Sequence, residues 1–240
     1  MKKIIVILCV LFINLTSYSF SIHVFGDSHA SACFSNTQTG LIATETSDFF
    51  YKKNLLSLTI PFTITNLTPR TMFRVGRDGI NGLSVKDYGV QDGDVVVFLF
   101  GEVDVRCHIG KQRDVYGREL NVIIDELAQS YIKTMIENRQ RFSSLRMVIV
   151  SVIPPSDQHY NPQFPSYGTL QDRVAITRHL NRVLQFYAFK NDILFLDIYS
   201  YFAQHDGSLN VMLSDGTVHI HQLHNKIIRE KLIELIYSIK

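Results

Sequence analysis

Four short apolar runs, at residues 22–25, 95–100, 147–153 and 193–198, constrain this chain more than any other feature. Runs of this length without polar alternation belong to strands covered on both faces. The later runs are separated or followed by stretches with helical spacing. Leu120, Ile123, Ile124, Leu127, Tyr131 and Met135 mark one apolar face, and Leu170, Val174, Leu180, Val183, Leu184 and Tyr187 a second. Leu223, Ile227, Ile228, Leu232, Leu235 and Ile239 mark a terminal helix. Strands alternating with long helices specify an α/β fold around a mostly parallel sheet. Residues 55–67 read as extended, with Pro61 making an edge or irregular strand. Residues 35–47 read as a polar loop, and 70–75 as a short helix entering a glycine-rich loop through Gly76, Gly79 and Gly82.

The first 21 residues form a separate unit by this reading. Lys2 and Lys3 precede an apolar stretch at 4–13, and Ser19-Phe20-Ser21 supplies small residues where a signal peptidase cuts. Cleavage before Ile22 leaves one domain over 22–240, exported to the periplasm or the outside. An uncleaved anchor is the alternative, although the run is shorter than the roughly 20 residues of a membrane span. Losing Lys2 and Lys3 lowers the 24 basic residues to 22, matching the 22 acidic ones. With no net charge and no basic stripe, nucleic acid is not an expected partner.

Ligands of such sheets sit at the carboxyl ends of the strands. Three polar clusters fall there: around Ser28, at residues 101–106, and after Pro155. Gly26-Asp27-Ser28-His29 follows the first apolar run and precedes a helix-forming stretch. A serine at such a turn is exposed beside backbone N–H groups, although Asp-Ser is also ordinary turn chemistry. A nucleophilic serine needs a base and a carboxylate to orient it. Asp215 and His219, in the loop before the terminal helix, supply both types, and the Gly-Thr between them lets the loop fold back.

Gly26-Asp27-Ser28 near the start, with Asp215 and His219 before the last helix, resembles the SGNH/GDSL hydrolase superfamily. The resemblance implies a flavodoxin-like three-layer α/β/α sandwich. It also implies an esterase, O-deacetylase or acyltransferase working through an acyl-enzyme on Ser28, with His219 as base and Asp215 orienting it. The oxyanion hole would be formed by Ser28 and a glycine, either Gly76 or Gly79. Small-molecule or carbohydrate acyl esters are the implied substrates, with no cofactor and no metal.

Two residues depart from the family pattern. Gly101-Glu102-Val103-Asp104 stands where the family has Gly-x-Asn-Asp, and Val103 has no amide to donate to an oxyanion. Asp215 and His219 enclose three residues where the family has two. Val103 supports a second expectation, a binding protein on the same fold with little or no catalysis. Glu102, Asp104, Arg106 and His108 alternate, so an extended backbone would put them on one face. There they would line a substrate site or form an internal ion-pair network. Tyr160, Phe164 and Tyr167 are expected at a loop rim. His205, His219, His221 and His224 are close in sequence but lack a carboxylate set for a metal. A disulfide between Cys33 and Cys107 is also expected, from strand ends that neighbour one another in a flavodoxin-like order.

Overall fold

The computed structural model describes residues 20–35, 44–53, 56–157 and 165–238. The expected leader, up to residue 19, and the loop residues Tyr160 and Phe164 lie outside the described residues. Six strands form one sheet in the order β2-β3-β1-β4-β5-β6. β1 (Ile22–Gly26), β3 (Leu56–Asn66), β4 (Val95–Leu99), β5 (Arg146–Val150) and β6 (Leu194–Leu196) run parallel. β2 (Thr44–Lys53) pairs antiparallel with β3 at the edge.

The alternation of side chains across each strand divides the core into two layers. Val96, Phe98, Met147 and Ile149 face one side. There they meet α2 (Met72–Gly82), α4 (Leu120–Arg139) and α5 (Leu170–Lys190). Val24, Val97, Leu99 and Val148 face the other, against α1 (Ser28–Phe34) and α7 (Asn225–Ser238). This is the expected three-layer sandwich with a mostly parallel sheet. Helix α5 starts at a reciprocal cap, in which the Thr169 side chain and the Asp172 carboxylate each take the other's backbone N–H. Short helices α3 (Gly110–Asp114) and α6 (Tyr199–Phe202) fill connections. Among the described residues, no helix is long and apolar enough to cross a membrane.

Several expectations are corrected. Residues 44–47 belong to strand β2 rather than to a loop. Strand β2 shows an alternating exposed pattern and carries Glu45, Asp48, Lys52 and Lys53, which suits a solvated edge. Residues 104–109 are π-helical, not extended. Gly76 and Gly79 lie inside α2 rather than in a loop. Cys33 and Cys107 are both free thiols. Cys33 packs in the layer beneath α1, whereas the Cys107 thiol donates to the Pro165 carbonyl at 3.0 Å. Phe20 is buried and Ser21 N–H donates to Asp94 at 2.8 Å, so the packed body includes these two residues before Ile22.

Candidate active site

The strand order changes direction between β1 and β4, and the turn after β1 carries Ser28. Gly26 allows this turn to form. A Cβ there would lie 2.3 Å from the Leu99 carbonyl oxygen and 2.5 Å from Ala30 Cβ. The Asp27 carboxylate then caps α1 by accepting the His29 N–H at 2.9 Å. Ser28 opens α1, where backbone N–H groups have no partner within the helix.

His219 reaches Ser28 from the opposite end of the sequence. Its Nε2 lies 2.9 Å from Ser28 Oγ, although the two residues are 191 positions apart. The loop that carries His219 is a small hairpin. Asp215 N–H donates to the His219 carbonyl at 3.1 Å, and Ser214 bridges to Ile220. Gly216, with φ at 88°, makes the reversal that a side chain would strain.

Asp215 forms a long ion pair with His219. Its Oδ2 is 3.4 Å from His219 Nδ1. Thr217 Oγ1 is nearer to the same nitrogen, at 3.0 Å, and lies 2.6 Å from Asp215 Oδ1.

Behind the serine is a buried charge cluster, and for Glu102 and Arg106 it is the internal ion pair that was one of the two expectations. His29 Nε2 contacts Glu102 at 3.0 Å. Arg106 donates to both Glu102 oxygens, at 2.9 and 3.0 Å. Residues 102–109 curl into helix, so Glu102 and Arg106 become i,i+4 partners. Asp104 turns elsewhere and takes the N–H groups of Met72 and Phe73 at 2.7 and 2.9 Å, capping α2. All three side chains belong to residues that are at most 5% exposed, so they are internal rather than a polar wall. Burial opposes the Glu102 charge, but His29 and Arg106 outweigh it and hold the carboxyl down at about 2. Burial also opposes a charged His29, yet Asp27 and Glu102 raise it above the ordinary histidine value.

This cluster bears directly on the base. The His29 and His219 rings lie 4.6 Å apart, centre to centre. Burial first, and the neighbouring His29 charge second, press His219 down to about 4. An imidazole so disposed is neutral at pH 7, the state a general base requires.

Gly76 and Gly79 lie against α4. A Cβ on Gly76 would meet Ser130 of α4 at 2.5 Å, and Gly79 faces Glu137 of the same helix across a kink. Both serve the contact between α2 and α4. Val103 is 8% exposed at the start of the helical turn. Asn66 had not been singled out. It stands level with Gly26 at the end of β3, and its buried Nδ2 has no hydrogen-bond partner. Its Oδ1 accepts from Thr68 N–H and Oγ1. The histidines after the base have separate tasks: His221 caps a turn through Leu223 N–H, and His224 packs on Phe202. Among the described residues, no group of three or more His, Cys, Asp or Glu side chains is arranged to hold a metal.

No family model matches the chain, and no curated protein matches it in sequence. Solved structures do match in fold. An acylhydrolase from Bacteroides fragilis, described as putative, superposes with a TM-score of 0.56 at 14% identity, over 95% of this chain and 98% of its own. An acetylxylan esterase from Geobacillus stearothermophilus gives 0.52 at 14% identity, over 90% and 94%. A carbohydrate acetylesterase from Sinorhizobium meliloti gives 0.55 at 12% identity, over 92% and 100%. A GDSL-like lipase from Bacteroides thetaiotaomicron belongs to the same set.

Proposed function

On the SGNH/GDSL hydrolase fold that this chain adopts, we propose that it is a serine esterase or O-deacetylase, or an acyltransferase using the same intermediate. The observation that carries this reading is the 2.9 Å contact between Ser28 Oγ and His219 Nε2. In the reaction, the Ser28 oxygen bonds to the ester carbonyl carbon while its proton passes to His219 Nε2. The carbonyl π pair moves onto oxygen. Collapse of this intermediate breaks the ester C–O bond, and His219 returns the proton to the departing alkoxide. Water or an acceptor alcohol then repeats the sequence on the acyl-enzyme. Asp215 orients the base.

The oxyanion is served by the N–H of Ser28 and by the side-chain amide of Asn66. The amide replaces the donor that Val103 lacks. Asn66→Asp keeps the acceptor that Thr68 uses and removes the donor. It is expected to lower kcat by about 10²–10³-fold, the usual cost of one oxyanion donor. Unchanged turnover in that variant would remove Asn66 from the assignment.

Substrates of the proposed reaction are acyl esters of small alcohols or carbohydrates. Similarity in fold to an acetylxylan esterase and a carbohydrate acetylesterase supports this class. Residues 1–21 act as an export leader in this reading, which places the enzyme in the periplasm or outside the cell. Cleavage before Ile22 would give up the Phe20 packing and the Ser21–Asp94 bond. N-terminal sequencing of exported protein locates the junction.

Val103 favours a second reading, a binding protein that keeps the fold with little turnover. A fluorophosphonate probe separates the two. The hydrolase is expected to label on Ser28 and to hydrolyse p-nitrophenyl acetate, with both signals lost in Ser28→Ala and His219→Ala. Folded protein that neither labels nor turns over is the binding protein.

A further inference from the structure

Asp215 Oδ2 reaches His219 Nδ1 only at 3.4 Å, and the Thr217 hydroxyl stands nearer to the same nitrogen, at 3.0 Å. We propose that Thr217 is a positioning residue that relays Asp215 to His219, so that the carboxylate orients the base through the threonine hydroxyl. This rests on the serine-hydrolase reading above and adds a member to its catalytic set.

The hydrogen-bond inventory fixes the direction of the relay. A threonine hydroxyl has one proton to give and two lone pairs to accept with. Asp215 Oδ1 lies 2.6 Å from Thr217 Oγ1, the short separation of an O–H···O⁻ contact. Ionised Asp215 has no proton, so the threonine donates there. The hydroxyl then meets His219 Nδ1, 3.0 Å away, with a lone pair only. The imidazole must therefore carry its proton on Nδ1. That leaves the Nε2 lone pair facing Ser28 Oγ at 2.9 Å, the tautomer that can take the serine proton. The opposite assignment puts two acceptors 2.6 Å apart and turns an N–H toward the nucleophile.

The surrounding loop holds each end of the relay. Thr217 N–H donates to Asp215 Oδ1 at 2.8 Å, which locks the carboxylate over its own turn. Ser214 Oγ donates to the Thr217 carbonyl at 3.0 Å and accepts Gly216 N–H at 3.1 Å. The titratable groups around His219 are Asp215 on its own loop, His29 and Asp27 from the turn after β1, and Glu102 and Arg106 beyond them. During acylation the serine proton stops on Nε2. The imidazolium keeps its Nδ1 proton, the threonine keeps its own, and the Asp215 charge acts through the polarised hydroxyl. No proton crosses the relay.

The test compares Thr217→Val, which keeps the shape and removes the hydroxyl, with Thr217→Ser, which keeps the hydroxyl. Both are assayed with p-nitrophenyl acetate across pH. Thr217→Val is expected to lower kcat about 10²-fold with little change in KM, within the usual range of general-base contributions. Its acid limb should move to lower pH, because the imidazolium loses the hydroxyl that accepts its Nδ1 proton. Thr217→Ser should recover to within about threefold, and Asp215→Asn with Thr217→Val should be no worse than Asp215→Asn alone, since the two act as a unit. A Thr217→Val enzyme with unchanged kcat overturns the relay, as does a Thr217→Ser enzyme as slow as the valine variant. The ¹⁵N shifts of His219 test the geometry without turnover. The wild type should show the Nδ1-protonated tautomer, and Thr217→Val should lose that bias. An Nε2-protonated wild type rejects the relay, even if Ser28 labels normally. Failure to label with the Nδ1 tautomer intact rejects only the hydrolase reading.

Discussion

Behind Ser28 the protein is dry and charged, whereas behind His219 it is a hairpin open to water. On the first side, Asp27, His29, Glu102 and Arg106 are each at most 5% exposed. They come from two strand ends that the sheet itself brings together. On the second side, the Asp215 side chain is 36% exposed and that of His219 25%. Their positions depend on a few bonds within residues 214–220. The contrast separates two kinds of dependence. The place of Ser28 is tied to global stability, while that of His219 is local and adjustable.

The largest expected effect that tests this contrast is on stability. Glu102→Ala strands Arg106 and His29 in the interior and is expected to cost about 3–5 kcal/mol of unfolding free energy, measured by urea denaturation. Asp215→Asn, on the open side, is expected to change stability by about 0.5 kcal/mol or less while slowing turnover. Equal losses from the two variants would erase the distinction. The cluster also sets an acid limit. Glu102, held at about 2 in the fold against an ordinary 4.5, stabilises the protein above pH 4.5, and that contribution fades as pH falls toward 2.

A smaller effect reads the coupling between the two sides. His219 is pressed down to about 4, so kcat/KM should fall only as pH drops through about 4 and stay level through neutrality. His29→Gln removes the neighbouring charge and should move that limb upward. A wild-type limb near the ordinary histidine value would mean that the two rings do not sense each other.

Much of this was legible in the sequence because the informative residues are repetitive. Unbroken apolar runs at 95–100 and 147–150 announce strands covered on both faces, and the helical spacing of Leu120 to Met135 announces α4. Strand β2 escaped because its half-exposed alternation of Thr, Ser and Glu resembles a polar loop. The stretch from Glu102 to His108 alternates like a strand, yet it coils because the Glu102–Arg106 pair closes only at helical spacing. Gly76 and Gly79 looked like loop residues, but the close approach of α4 explains a glycine at 76 as well as an anion site does. The site was readable as residue types and not as contacts. Asp215 and His219 advertise a carboxylate and a base. Only the distances show that the Thr217 hydroxyl is nearer to the imidazole than the carboxylate is. His29 and Glu102, 73 residues apart, give no local sign that they meet.

The place of β1 between β3 and β4 has a further consequence, for the order of events when the chain folds. The strand is among the first segments of the described chain, but its two neighbours are 56–66 and 95–99. Neither edge of β1 is satisfied until those distant segments have docked, and contacts of high sequence separation are slow to form. His219 arrives from residues still further along. Recovery of activity during refolding should therefore lag behind the recovery of helix signal, because helices α4 and α5 need only local contacts to begin. The Ser28–His219 contact thus reports on completed folding: segments 191 positions apart must both be in place before it can form.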